Sequence, residues 1–349
     1  MKGKLTLTIE EAAEIFHKIQ SNLQPLFYGN GVIGSGLFLS INTSTIKHSC
    51  VANAKKISNG KELSLMALGK IESFADVRFA YCPYFSREKE FRRKYLRERF
   101  FFECQCWLCN NEELEEMYSS MICNQCKVGC VPISKMTCLD CGYKANPNDA
   151  RKYHEFKARI VMPSFQNYSP TGNFKPEPVF ENLETYEHIF KEAFEVLHPM
   201  DVTFFNLSRM AQYSVLGNFS DAMKSYVEIG SLPQPKIVTL KFAAQVQVQR
   251  LRTILPPLHT SIANMEFDYA MCLAHLGEIE KADAAFARSE SIFQICPGVG
   301  YEMENTFRKV ALEHAKAKID MMDSICEKAR QMKMSGELDE LNKLHSKHL

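Results

Sequence analysis

Eight of the thirteen cysteines lie between positions 104 and 141, as Cys104-x-Cys106-x2-Cys109, then Cys123-x2-Cys126 and Cys138-x2-Cys141, with Cys130 between the two pairs. Thiolates at such spacings can share one tetrahedral metal ion, because a short arm brings two sulfurs to the metal together. The pairs Cys123/Cys126 and Cys138/Cys141, eleven residues apart, supply four sulfurs and make a complete zinc-ribbon set. The first group supplies only three, so a closed structural site there needs a fourth ligand from elsewhere in the chain. Disulfides are the other use for so many cysteines. The C-x2-C arms, and an N-terminus (MKGKLTLTIEEAAEIF) without the uninterrupted apolar run of a secretory signal, favour zinc thiolates in a reducing compartment, the cytoplasm or nucleus.

A chain of 349 residues with 46% apolar content should fold as two or three globular domains. The net charge of +1 offers no overall attraction to nucleic acid or to an anionic membrane, and no stretch reaches membrane-spanning length. Neither nucleic acid nor membrane is therefore expected as a partner. A local exception would be Arg92-Arg93-Lys94, on a basic helix over 86–102 with Phe91, Tyr95 and Leu96 near one face. Glu88, Glu90, Glu98 and Glu103 interleave these charges, so a solvated helix with an aromatic buried face is the simpler reading.

The elements that must position the cysteines can also be read. Thr8 and Glu11 form a capping box, and Ile9, Ala12, Phe16, Ile19 and Leu23 recur at helical spacing, which predicts an amphipathic helix over 8–23. Gly29 to Leu39 alternates glycine with apolar residues, as a turn entering a strand. It lacks the Lys-Ser/Thr of a phosphate loop. Short apolar runs broken at Asn59-Gly60 predict a hairpin within 51–68. Residues 164–178, with three prolines, read as a linker, and the chain beyond is helical. There Leu216-Gly217-x4-Ala222-x3-Tyr226 resembles Leu276-Gly277-x4-Ala282-x3-Phe286, sixty residues on, with an extra helix around 236–255 between them. This is either a degenerate tetratricopeptide-like (TPR-like) pair or a plain helical bundle.

Cys50 lies in Lys47-His48-Ser49-Cys50-Val51-Ala52-Asn53. This stretch resembles the N-H-S-C-x-P-N motif of the SMYD (SET and MYND domain) protein-lysine methyltransferases. Glu62-Leu63 is a partial match to the later E-L motif, and Phe102-Glu103-Cys104-Gln105-Cys106-Trp107-Leu108-Cys109 matches the post-SET signature. The ribbon pairs and helical C-terminus are most similar to the SMYD4-like branch. The resemblance implies that Cys50 joins Cys104, Cys106 and Cys109 on one zinc, making two zinc ions in all. It also implies S-adenosylmethionine as cofactor, with His48 and Lys47 at the motif, Asn22 near the amino-acid end and Phe102 on the adenine. From the residues alone, Asn22 is equally a helix cap and Phe102 core.

Departures from the family pattern accompany these matches. Lysine stands at 47 instead of asparagine and adds charge beside a sulfonium. The two tyrosines that orient the substrate amine align with Ala67 and Phe100, which leaves no catalytic residue to assign. Ala52 replaces the motif proline, Ser40 to Ile46 carries two extra residues, and the G-x-G strand of the SET N-terminal half and the MYND cluster are not expected ahead of residue 1. The expected fold is α+β: a partial SET domain over 1–103, a post-SET cysteine cluster and zinc ribbon over 104–150, and an all-α TPR-like domain over 151–349. The expected activity on protein or peptide lysines, histone or other, is weak or lost. The alternative is a non-catalytic zinc-binding scaffold whose helices hold a peptide such as a chaperone tail.

Overall fold

The structure is a computed structural model that describes residues 7–28, 33–39, 41–59, 62–82, 85–160, 183–216, 229, 232–295, 305–319, 321 and 327. The first helix, α1 (Ile9–Asn22), starts where the capping box puts it: the Thr8 hydroxyl accepts from the Glu11 N–H, and Glu11 accepts from the Thr8 N–H at 2.9 Å. Its apolar stripe does not bury, however: Ile9, Ile15, Phe16 and Ile19 are exposed. An antiparallel pair follows, β1 (Leu23–Tyr28) with β2 (Ile33–Leu39), and the expected glycine turn before β2 falls partly outside the described residues. After a four-residue helix, α2 (Ile41–Ser44), come β3 (Lys47–His48), the hairpin β4 (Ala54–Asn59) with β5 (Glu62–Ala67), and β6 (Arg78–Phe79). The hairpin is where the Asn59-Gly60 signal predicts it, with Asn59 paired to Glu62 at its end.

The decisive pairing is non-local. Strand β3 lies parallel to β6, with Lys47 opposite Arg78 and His48 opposite Phe79, and the whole β4–β5 hairpin serves as the crossover. Asn53 ties this crossover down: its side chain accepts from the Arg78 N–H at 2.7 Å and donates to the Asp76 carbonyl at 2.8 Å.

Next come α3 (Lys89–Phe100), α4 (Trp107–Asn110) and α5 (Glu112–Met117), then a short hairpin of β7 (Ser120–Ile122) with β8 (Cys130–Pro132). Helix α3 has the expected buried aromatic face, with Phe91, Tyr95 and Leu96 against the first core, but not all of its basic residues are solvated. Arg92 and Leu96 are fully buried, Arg93 is half-buried, and the exposed Lys94 faces Glu98 at 3.9 Å. The Arg92-Arg93-Lys94 run is thus no open phosphate-binding patch.

The C-terminal half contains α6 (Pro147–Arg159), α7 (Leu183–Val196), α8 (Val202–Leu216), α9 (Gln234–Ile254), α10 (Thr260–His275), α11 (Ile279–Phe293) and α12 over 305–319. Helix α6 begins with Pro147 behind an Asn146–Asp149 capping box, so a boundary drawn after 150 cuts through it. Gly277 at φ +76° ends α10: its N–H donates to Ala274 and that of Glu278 to Leu273, a Schellman turn that needs the left-handed residue. The α9 helix is where an extra helix is expected. Gly217 to Tyr226 lies outside the described residues, as does the 164–178 segment.

The cores run across the expected domain limits. Cys50, Cys104, Cys109, Leu96 and Tyr118 share one core with Phe205, Leu251, Ile262 and Phe293 from the C-terminal helices. Cys123, Cys138 and Val131 share another with Tyr153, Phe190, Phe204 and Ala243. Each cysteine cluster is therefore held against helices far along the chain.

One buried group makes the fold acid-sensitive. His198, 8% exposed, precedes α8 and accepts the Met200 N–H on Nδ1, and burial holds its pKa down at about 4. The unfolded chain takes up this proton below pH 6.5 whereas the folded one resists it, so the contribution is complete above pH 6.5 and is lost as pH falls toward 4. At about 1.4 kcal/mol per pH unit this is worth about 3 kcal/mol. His198→Asn, which keeps an acceptor for Met200, should flatten the stability profile across that window in urea titrations at stepped pH. Parallel wild-type and variant profiles would refute it.

Candidate functional site

The end of α3 brings the first cysteine set together. Phe101 caps the helix in the left-handed conformation, φ 59°, ahead of the loop that carries Cys104, Cys106 and Cys109. There Cys50 joins them. The four sulfurs lie within 4.8 Å of one another, with Cys50 Sγ 3.9 Å from Cys104 and 3.6 Å from Cys109 across 54 and 59 residues. Two adjacent arginines of α3 hold the loop. Arg92 donates to Leu108 O and to Cys109 Sγ (3.7 Å) and faces Glu115 at 3.5 Å, while Arg93 donates to Cys104 O at 3.2 Å and Cys109 O at 3.5 Å. Hydrogen bonding from Cys104, with smaller help from Arg92, lowers the Cys109 thiol to about 7. A buried guanidinium against clustered sulfurs suits a set that carries net negative charge as thiolates around a dication.

The second set, Cys123, Cys126, Cys138 and Cys141, also lies within 4.8 Å. Its two arms have the same local shape: a left-handed residue, Lys127 (φ 64°) or Gly142 (φ 73°), follows the second cysteine, and its N–H bonds back to Cys123 O or Cys138 O. The Gly129 N–H donates to Cys126 Sγ at 3.2 Å, and a Cβ there would meet Cys138 Sγ at 2.4 Å, so only glycine fits. Cys130 is buried but belongs to neither set, and burial pushes its thiol up to about 11. Two four-cysteine clusters are compatible with two zinc ions.

Against the first cluster lies a cavity of about 580 Å³ whose lining includes Lys47, His48, Arg78, Tyr81, Phe102 and Trp107. Three of its aromatic rings cluster together: His48 is 5.2 Å from Tyr81 and 5.7 Å from Phe102, and Tyr81 is 6.2 Å from Phe102. Burial is the largest influence on His48 and holds its pKa near 4, so the ring is neutral. Lys47 and Arg78 are the cations of the lining. Aromatic faces suit a nucleobase, and the cations suit a carboxylate.

Lys47, His48 and Phe102 thus meet in one cavity. Asn22 is not among its lining residues; its Nδ2 donates to Lys18 O at 2.8 Å, as a helix-end residue would. Ala67 is exposed at the end of β5, opposite Ala54, and does not line the cavity either. Counting onward from Glu62-Leu63 stays on β5, which belongs to the hairpin, whereas β6 is the strand beside β3. The tyrosine that does stand in the cavity, two residues beyond β6, is Tyr81, which the sequence reading missed. Its hydroxyl donates to Ile46 O at 2.5 Å and its ring packs 5.2 Å from Phe100. The alternation Val77-x-Phe79-x-Tyr81 is the local signal that could have marked it.

No family model matches the chain. Over about eighty residues it is similar to SET-and-MYND proteins. It is 36% identical over 81 residues to the human histone-lysine N-methyltransferase SMYD3 and 40% identical over 80 residues to the zebrafish (Danio rerio) protein-lysine N-trimethyltransferase SMYD5. A SET and MYND domain-containing protein of Dictyostelium discoideum is 28% identical over 80 residues. These matches take in 22–23% of this chain and only 18–19% of the relatives' lengths. The local similarity supports a SET-domain relation. Among the described residues, no helix is long and apolar enough to cross a membrane.

Proposed function

We propose that this chain carries part of the S-adenosylmethionine pocket of a SET-type protein-lysine methyltransferase, with reduced activity. The observation that supports this best is the cavity in which the His48 motif, Tyr81 and Phe102 converge beside the Cys50 cluster. The cofactor, when bound, would supply an electrophilic methyl on a sulfonium. Phe102 and the neutral His48 ring would hold its base, Arg78 suits its carboxylate, and Tyr81 would orient the incoming amine, its hydroxyl already fixed on Ile46 O. Zinc on each four-cysteine set would be structural. Phe100 lacks the hydroxyl of a second tyrosine, and Lys47 brings charge toward the sulfonium, which is why transfer should be slow. The substrate class is a lysine-bearing protein or peptide, a histone tail among the candidates, in the cytoplasm or nucleus.

Titration calorimetry of the zinc-loaded protein with S-adenosylmethionine and S-adenosylhomocysteine tests this reading. Heat of binding to both is expected. Lys47→Asn should tighten the sulfonium ligand by about 1 kcal/mol, roughly fivefold, the worth of one solvated charge contact, and leave the uncharged thioether product nearly unaffected. Tyr81→Phe should preserve binding while any methyl transfer to a lysine peptide drops by at least tenfold. No heat with either ligand at millimolar concentration would favour the second reading, a zinc-stabilised scaffold in which the C-terminal helices hold a partner peptide. Phe100 and Lys47 are the observations in favour of that reading.

A further inference from the structure

His48 touches both the cysteine cluster and the cavity, and its two ring nitrogens do different things. The Tyr81 N–H donates to Nδ1 at 3.0 Å. A backbone amide can only donate, so Nδ1 must be the bare nitrogen and the ring proton must sit on Nε2. Nε2 in turn lies 3.3 Å from Cys50 Sγ. An Nε2–H facing a metal-bound thiolate is a charge-assisted donor, whereas facing a protonated thiol it meets only a poor acceptor. The imidazole is therefore a rigid link from the first cluster to the main chain of Tyr81, and the Tyr81 hydroxyl is pinned in turn to Ile46 O, one residue before β3.

We propose that His48 is a positioning residue that couples metal occupancy of the Cys50–Cys104–Cys106–Cys109 set to the placement of Tyr81 in the cavity. With the metal bound, the Cys50 thiolate holds Nε2–H, which holds Nδ1 toward the Tyr81 N–H. Without it, the thiol no longer orients the ring and the Tyr81 amide loses a fixed acceptor. Among the described residues, Cys123, Cys126, Cys138 and Cys141 have no such link to the cavity lining, so the two metals differ in role: the first organises the cavity, the second only the ribbon. The expected size follows from other outer partners of metal ligands, whose removal typically costs about 10- to 100-fold in metal affinity.

The test uses the full chain loaded with two cobalt(II) ions, whose thiolate charge-transfer bands report on the sulfur ligands directly. His48→Asn keeps an acceptor near Nδ1 and removes the Nε2 donor. His48→Gln keeps a donor at the Nε2 position. Expected for Asn are a shifted charge-transfer band for one ion, about tenfold weaker retention of that ion against a chelator, and unchanged retention of the other; the Gln variant should restore the first ion's retention. The ion affected is assigned with Cys50→Ser and Cys141→Ser. Unchanged band and retention in His48→Asn would overturn the coupling, and so would equal loss of both ions in the Asn and Gln variants. The link to the cavity rests on the pocket reading above and has its own readout: S-adenosylhomocysteine affinity should fall at least tenfold in Cys50→Ser but stay near wild type in Cys141→Ser. If wild-type protein gives no heat with that ligand, the pocket reading fails while the cobalt result still decides the role of His48. If both serine variants bind it equally well, the coupling to the cavity fails.

Discussion

Cys104→Ser is expected to cut the zinc content from two ions to one per chain and to collapse the first core, lowering stability by more than about 4 kcal/mol. Structural zinc on thiolates carries apparent binding free energies of about 10–16 kcal/mol, most of which reports as folding free energy, so a weakened site forfeits a large share of it. Position 104 adds a packing penalty. Its side chain is 2% exposed in a core shared with Leu96, Tyr118, Phe205 and Leu251, so a hydroxyl there loses a metal bond and gains an unsatisfied polar group. Cys141→Ser is the contrast: that residue is exposed at the edge of the ribbon, and its loss should release the second zinc with a smaller fall in the thermal midpoint. Elemental analysis with thermal unfolding measures both. A Cys104→Ser protein that keeps two zincs and its midpoint would refute the assignment of the first cluster.

Arg250→Met should cost about 3–5 kcal/mol without altering the zinc content. Arg250 is fully buried in α9, where it donates to the Met200 carbonyl and, at 3.2 Å, to the Ser86 carbonyl, 164 residues away. Its guanidinium lies 4.1 Å from the Tyr118 ring centre and 5.0 Å from that of Phe205. Methionine fills the space but leaves two buried carbonyls without their donor, at about 1–3 kcal/mol each, and removes the ring contacts. Arg250→Lys should recover less than half of the loss, since an ammonium cannot reach two carbonyls while lying flat between two rings. Urea unfolding followed by circular dichroism reads this out. A loss under about 1 kcal/mol in Arg250→Met would show that the segment before α3 does not depend on α9.

How far the site was legible varies residue by residue. The ribbon was readable because all four sulfurs come from two short arms, a local property of spacing. Cys50 was found through a resemblance of motifs, since nothing about a single cysteine 54 residues upstream announces its neighbours. Tyr81 as a cavity residue was not legible, because the strand beside β3 is fixed by a parallel pairing across an intervening hairpin. Arg92 and Arg93 were read as solvated charges. In the folded chain they brace the cysteine loop, which a helical wheel of α3 alone cannot reveal. The amphipathic pattern of α1 correctly gave a helix but not where its apolar side chains lie, for they are exposed among the described residues.

The amino-acid sequence by itself determined the local facts: the capped start of α1, the β4–β5 hairpin, the two knuckles of the ribbon and the sulfur-rich chemistry. These follow from contacts within a few residues, where propensity, capping and ligand spacing act directly. Only the tertiary structure decided that Tyr81 faces His48, that His48 bridges Tyr81 to Cys50, and that each cysteine cluster shares a core with C-terminal helices. Those relations are set by which distant surfaces bury together, and burial depends on the packed whole instead of on any one stretch of chain.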